Sequence, residues 1–212
     1  MNIETQKEAF YTAITNGKRM EASRLANELL SELGDLKALY EEVFKSSLYR
    51  VGQEWEQGRV SVATEHMASM LTEVLLNDLY PLIQAMEQEG KTVVVACVPG
   101  EQHEIGCKMV SDVFEMNQWN TLMVGANTPA SDLLDFLQNH QPDVLALSAA
   151  LSKNVPAMQA TITQVRTVFS DLPILIGGQA LSRVGARELL LDNRVMYLKD
   201  LVMLDDLIKN SL

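Results

Sequence analysis

The sequence predicts an α/β protein of two parts: a four-helix bundle over residues 1–88, then a doubly wound domain with a five-stranded parallel sheet over residues 91–212. Two observations predict it. Up to about residue 88 the apolar residues recur at three- and four-residue steps, and beyond it they form short runs separated by helical segments. The period changes at Glu89-Gly90-Lys91. With 212 residues, 47% of them hydrophobic, the chain has the material for a sizeable core, so disorder is not expected over most of it.

In the first part the apolar positions are Phe10 and Ile14, then Leu25, Leu29, Leu30 and Leu33, then Leu39, Val43, Leu48 and Val51. Breaks are expected at Asn16-Gly17, Gly34-Asp35 and Gly58-Arg59, because glycine and asparagine tolerate the left-handed conformation that ends a helix. The fourth helix is expected to open on Ser61 as its N-cap and to run through MASMLTEVLLNDLYPLIQAME with a kink at Pro81.

In the second part the apolar runs are TVVVACV (92–98), WNTLMVG (119–125), DVLALSA (143–149), LPILIGG (172–178) and a weaker RVMYL (194–198). Helices are expected between them at 104–117, 130–139, 155–170 and 181–191. Buried parallel strands joined by packed helices are the usual outcome of this alternation. Ligands of such sheets lie beyond the carboxyl ends of the strands, and here those ends carry PGEQH, GANTP, SAALS and GGQAL.

Charge and composition exclude several classes. A formal net charge of −11 repels a phosphate backbone, so direct nucleic-acid binding is not expected, although a protein partner that itself binds DNA is compatible. Cys97 and Cys107 are ten residues apart without C-x-x-C spacing, which suggests neither a disulfide framework nor a zinc knuckle and fits a reducing cytoplasm. No run reaches the roughly 18 apolar residues of a membrane span, and the N-terminus has no apolar leader core. Nothing resembles a P-loop, a nucleophile elbow or a catalytic dyad, so no enzyme activity is assigned. His140 reads as a solvated loop residue, and the eleven methionines as adaptable packing.

His103 follows the first strand, with Glu101 two residues before it and Gly106 three after. A carboxylate so placed orients one ring nitrogen while the other faces a metal or ligand, and the glycine lets the backbone approach a bulky group. On the residues alone, a solvated histidine, a metal ligand and a general base all stay open. The stretch Glu101-Gln102-His103-Glu104-Ile105-Gly106 resembles the D/E-x-H-x-x-G motif of cobalamin-binding Rossmann-like (flavodoxin-like) domains. It is followed by Ser148-Ala149-Ala150 in place of S-x-L and by Gly177-Gly178, after the first, third and fourth predicted strands. The resemblance implies that His103 is the lower axial cobalt ligand and that Glu101 orients it. It also implies that the displaced nucleotide tail is lined by Ser148, Ala150, Gly177 and Gly178. A preceding helical bundle is typical of methionine-synthase-like and corrinoid proteins.

The stretch WEQGRVSVATEH places Trp55 in the last turn before Gly58 and Glu65-His66 about one turn into the next helix. A helical hairpin there brings the three side chains near one another. By themselves they are also compatible with hairpin packing and with an acid at the positive end of a helix dipole. The spacing W-x9-E-H resembles that of light-sensing cobalamin proteins of the carotenoid-gene repressor type, in which these residues enclose the adenosyl group of adenosylcobalamin. Glu56 stands where that group has the histidine that becomes the upper ligand after photolysis, so His66 or water is expected there instead. The resemblance implies a sensor that binds adenosylcobalamin between bundle and sheet domain and self-associates as a dimer or tetramer in the dark. With the bundle at the start of the sequence, its output is expected in trans, through a transcription regulator or signalling protein. The alternatives are a corrinoid methyl carrier of a methyltransferase system, holding methylcobalamin, and an antirepressor or storage module; hydroxocobalamin is a further candidate form.

Overall fold

Asn2 opens the first helix by accepting the Glu4 amide, and α1 (Ile3–Thr15) ends at Asn16-Gly17, where the positive φ of the glycine turns the chain into α2 (Arg19–Leu33). The computed structural model describes residues 2–83 and 90–212. Gly34 ends α2 in the left-handed conformation, and Asp35 accepts the Lys37 amide to start the next helix. That helix is continuous from α3 (Leu36–Leu39) through a π-helical segment (Tyr40–Lys45) into α4 (Ser46–Glu56). The π segment has no counterpart in the sequence reading. Ser61 accepts the Thr64 amide and opens α5 (Val62–Leu79).

A 3-10 turn, Tyr80–Leu82, follows α5, so the α-helix stops before Pro81 and does not continue through a kink. Tyr80 itself keeps α geometry, but Pro81 has no N–H to continue the helical hydrogen bonds and its ring crowds the carbonyl four residues back. The expected continuation from 84 to 87, and the expected boundary at 88, lie outside the described residues.

The chain divides into the units Met1–Leu82 and Ile83–Leu212. The core of the first is aromatic. Phe10 on α1 stacks on Phe44 with ring centroids 5.3 Å apart, Tyr40 stacks on Phe44 at 5.8 Å, and all three are fully buried with Ile14, Leu29, Leu39 and Val43. Each such side chain contributes on the order of 2 kcal/mol by leaving water. At the edge of the core, Arg50 lies 3.7 Å over the ring of Tyr11, whose hydroxyl donates to Glu54 Oε2 at 2.5 Å. Burial and the neighbouring Glu54 carboxylate push the Tyr11 phenol up to about 12.

In the second unit β1 (Thr92–Cys97), β2 (Asn120–Gly125), β3 (Val144–Ser148), β4 (Ile174–Gly177) and β5 (Val195–Tyr197) form one all-parallel sheet of order β2-β1-β3-β4-β5. This is the expected doubly wound fold, with its switch of strand order at β1 and β3. The crossovers contain α6 (Ile105–Met116), α7 (Ala130–His140), α8 (Val155–Arg166) and α9 (Gln179–Val184). β1, β3 and β4 are almost wholly buried, which is why they read as unbroken apolar runs.

The differences from expectation have local causes. α8 ends at Arg166, whose guanidinium bonds the Phe169 and Leu172 carbonyls of the following turn, at 3.0 and 2.7 Å, and Asp192. The helix expected at 181–191 is α9 followed by a separate 3-10 turn, Leu189–Leu191, because Gly185 takes φ +81° between them. A further helix, α10 (Leu201–Ser211), closes the domain, capped by Asp200 and burying Leu201, Leu204 and Ile208. His140 is the last residue of α7, its ring 4.1 Å from that of Phe136, and not a loop residue. Among the described residues no helix is long and apolar enough to cross a membrane.

Candidate functional site

Three strands end level with one another. Cys97 of β1 pairs in register with Ser148 of β3, and Ser148 with Gly177 of β4. The segments 101–106, 148–150 and 177–178, far apart in sequence, therefore leave the sheet side by side.

Glu101 is the centre of this edge and is completely buried. Its Oε1 accepts the His103 amide at 3.0 Å and is also bonded by His103 Nδ1. Its Oε2 accepts the Ala150 amide at 2.9 Å, the Leu151 amide at 3.0 Å and Asn154 Nδ2 at 2.9 Å. Burial alone pushes this carboxyl up, but the donors from His103, Leu151 and Asn154 outweigh it and hold it at about 2. An ionised carboxylate only accepts, so Nδ1 is the protonated nitrogen of His103, and the Nε2 lone pair is the one directed to a metal or proton. The imidazole is 46% exposed. A ring so oriented and nearly half exposed has the chemistry of a metal ligand.

Neighbouring loops brace this arrangement. Asn127, after β2, accepts the Gly100 amide at 2.8 Å and donates its own amide to the Glu101 carbonyl at 2.9 Å. Glu104 Oε2 accepts the Ala126 amide at 3.2 Å. Cys97 Sγ donates to the His103 carbonyl at 3.5 Å, and the Cys97 and Cys107 sulfurs are 3.2 Å apart, both buried, a proximity their sequence spacing does not announce. The hydrogen bond with Cys97, together with burial, pushes the Cys107 thiol up.

The glycines of the site differ in what holds them. A Cβ on the exposed Gly106, in the first turn of α6, meets only Ser148 Oγ at 3.8 Å, ordinary contact, so the protein's own packing does not demand glycine and the space beside it is open. At Gly178 the demand is internal: φ is +102°, and a Cβ would lie 2.3 Å from the Ala149 carbonyl oxygen. Gly177 has a looser neighbour, the Leu198 carbonyl oxygen at 3.6 Å. Ala150 contributes its backbone N–H, and Ser148 its half-buried hydroxyl.

Asn154 is a site residue that sequence reasoning missed. It is the N-cap of α8, yet its side chain makes no cap bond and serves Glu101 and the Gly100 carbonyl instead. The only sequence signal is an asparagine ahead of Val155-Pro156, a helix start.

The other expected residues belong to the first unit. Trp55 is in the last turn of α4 and 43% exposed, and the chain beyond it folds back as the Arg59 and Val60 amides donate to the Glu54 carbonyl at 2.8 and 3.4 Å. Glu65 is in the first turn of α5, where it accepts the Ser69 hydroxyl at 3.0 Å and lies 3.6 Å from His66 Nε2. The His66 side chain is 70% exposed. Val62, His66 and Met70, at four-residue steps, form one exposed stripe of α5, so Val62 and Met70 join the surface around His66. Glu56 is the exposed last residue of α4.

An oriented and accessible imidazole, with an open space beside a glycine one helical turn away, fits a corrinoid approaching the carboxyl edge of the sheet. Comparison with known proteins identifies the family. The family described as B12 binding domain matches residues 91–203, and a second family of the same description matches residues 6–79. The HTH-type transcriptional repressor CarH of Myxococcus xanthus is 30% identical over 180 residues, covering 84% of this chain and 59% of that protein. The repressor CarA of the same organism is 26% identical over 185 residues, covering 87% and 60%. The chain thus spans about six-tenths of the length of these relatives. Among solved structures, the monomethylamine corrinoid protein of Methanosarcina barkeri shares the fold, with TM-score 0.78, 14% identity and 96% of each chain covered. The chain belongs to the B12 binding domain family, and cobalamin is the cofactor it binds.

Proposed function

We propose that this chain is an adenosylcobalamin-dependent light sensor whose response is a change in self-association or partner binding. The observation that carries the reading is Trp55 at the end of α4 with Glu65 and His66 near the start of α5. They match the W-x9-E-H spacing of the light-sensing group and keep indole and imidazole surface exposed. Similarity to two transcriptional repressors supports a regulatory output.

Bound adenosylcobalamin supplies a cobalt–carbon bond that light breaks. His103, oriented by Glu101, would hold the cobalt, Gly106 would leave room for the macrocycle, and Ser148, Ala150, Gly177 and Gly178 would line the nucleotide tail. In the first unit Trp55 would stack on the adenosine and Glu65 would accept from the ribose hydroxyls. His66 would be the imidazole offered to the cobalt after photolysis, since Glu56 replaces the usual histidine. Loss of a group held by bundle residues shifts the equilibrium between arrangements of the protein, and with it a dimer or tetramer interface or the surface for a transcription regulator or signalling protein.

The test is reconstitution with adenosylcobalamin in the dark, followed by absorption and size-exclusion profiles before and after green light. The reading expects both to change. A photolysed spectrum with unchanged oligomeric state and unchanged partner binding would sink it. Stable methylcobalamin binding that passes its methyl group to an added methyltransferase system would replace it with the carrier reading.

A further inference from the structure

Cys97 and Cys107 bracket the loop that carries His103. Cys97 is the last residue of β1, Cys107 lies in the first turn of α6, and both side chains are fully buried. Their sulfurs are 3.2 Å apart, so roughly 1 Å of approach separates them from a disulfide. The thiols also hold the loop: Cys97 Sγ donates to the His103 carbonyl. Sequence composition gave these two residues no role, and cobalamin binding as described does not use them.

We propose that Cys97 and Cys107 form a reversible redox site, in which a hydroperoxide converts the dithiol to a disulfide that closes the 98–106 loop covalently. The step balances with hydrogen peroxide as oxidant. Once the loop opens and water reaches the sulfurs, one thiol loses its proton and the thiolate attacks the peroxide, forming an S–O bond, breaking the O–O bond and expelling hydroxide, which takes up that proton as water. The second sulfur then attacks the sulfenic sulfur, the S–S bond forms, and the hydroxyl leaves as water with the second thiol's proton. In sum two thiols give up two protons and two electrons, and one peroxide becomes two waters. Because neither sulfur is exposed, the first attack waits on opening of the loop, which the hydrogen bonds to Glu101 oppose. A dithiol elsewhere reduces the bond again by exchange.

The bond has a consequence for the histidine. It removes the Cys97 S–H that donates to the His103 carbonyl and draws the first turn of α6 toward β1. The loop that presents the imidazole is thereby reset. This consequence, unlike the disulfide itself, rests on His103 as axial ligand.

The experiment treats the full chain, without cobalamin, with hydrogen peroxide, removes the oxidant, unfolds the protein and alkylates it for mass spectrometry. Both thiols are expected to escape alkylation as one intramolecular disulfide, two hydrogens lighter, and to return with dithiothreitol. Cys97→Ser and Cys107→Ser are expected to give no such species. Two alkylatable thiols after treatment, or their loss only to sulfinic and sulfonic acids or to bonds between chains, overturns the proposal. Cobalamin titration of the oxidised and reduced chains then reads the loop. An affinity lower by about tenfold is expected for the oxidised form, the scale seen when support of a metal ligand is disturbed. Equal affinities overturn the resetting of His103 but leave the disulfide standing. If His103→Ala leaves binding and spectrum unaltered, the axial assignment fails, independently of the mass measurement.

Discussion

Asn154 Nδ2 donates to Glu101 Oε2 at 2.9 Å across 53 residues of sequence. This bond joins the segment between β3 and α8 to the loop after β1, so the carboxylate that orients His103 is held by both crossovers. Asn154→Ala removes one charge-assisted bond from a buried carboxylate and is expected to cost about 2 kcal/mol of stability. The urea midpoint of the variant measures it. A midpoint equal to that of the wild type means that water or a neighbour replaces the amide.

Glu101 makes folding dependent on acid in a definite direction. Its carboxyl is held at about 2 in the folded protein, below the roughly 4.3 of an unfolded glutamate. In the interval between these values the unfolded chain binds the proton first, so stability rises with pH there. The contribution is complete above roughly pH 5 and is lost as the pH falls toward 2. Glu101→Gln should therefore be less stable than wild type at neutral pH, by a gap that narrows on acidification. A gap independent of pH would show that Glu101 is not ionised in the folded protein.

Two of the three site glycines, Gly106 and Gly178, should respond oppositely to alanine. Gly178→Ala places a methyl group against the Ala149 backbone at a φ of +102° and is expected to destabilise the chain by about 3 kcal/mol or to prevent folding. Gly106→Ala has ordinary contact and gains helix propensity, so the cobalamin-free protein should unfold at an equal or higher temperature. Its cobalamin affinity should nevertheless fall by roughly tenfold or more if the space beside Gly106 holds the macrocycle. Thermal unfolding and cobalamin titration of the same two preparations distinguish the outcomes.

Tyr11→Phe keeps the ring under Arg50 and deletes the hydroxyl that donates to Glu54 at 2.5 Å. A loss of about 1 kcal/mol is expected, read by chemical denaturation. Because Glu54 precedes Trp55, the fluorescence of that tryptophan is a second readout of how firmly the end of α4 is held.

The strands were legible because β1, β3 and β4, buried on both faces, leave unbroken apolar runs in the sequence, and the observed ends lie within one or two residues of the expected ones. Asn16-Gly17, Gly34 and Ser61 were legible because turns and caps depend on local residue chemistry. α10 has a cap and a helical spacing in Asp200, Leu201, Leu204 and Ile208, but it follows the short β5 with no glycine or proline between, so its start is only weakly marked in the sequence. Asn154 and the Cys97–Cys107 approach were hidden for another reason. Both are contacts created by the sheet and its crossovers, and no spacing within either partner encodes them. The positions of Glu101 and His103 were visible as a motif, while the four donors that keep Glu101 charged alongside the His103 ring became visible only in the fold.

The widened turn at Tyr40–Lys45 means that this helix holds one residue more than an α-helical path between the same endpoints requires. Helices are ordinarily intolerant of deletions, because each lost residue rotates everything downstream by about 100°. Here the surplus is spare length. Removing the exposed Glu42 would let the turn tighten to α geometry while the Phe10–Phe44 stack and the direction of α4 persist. The bundle can thus drift in length by one residue at this point without changing how α4 delivers Trp55, which makes 40–45 the place where variation within one continuous helix is most easily absorbed.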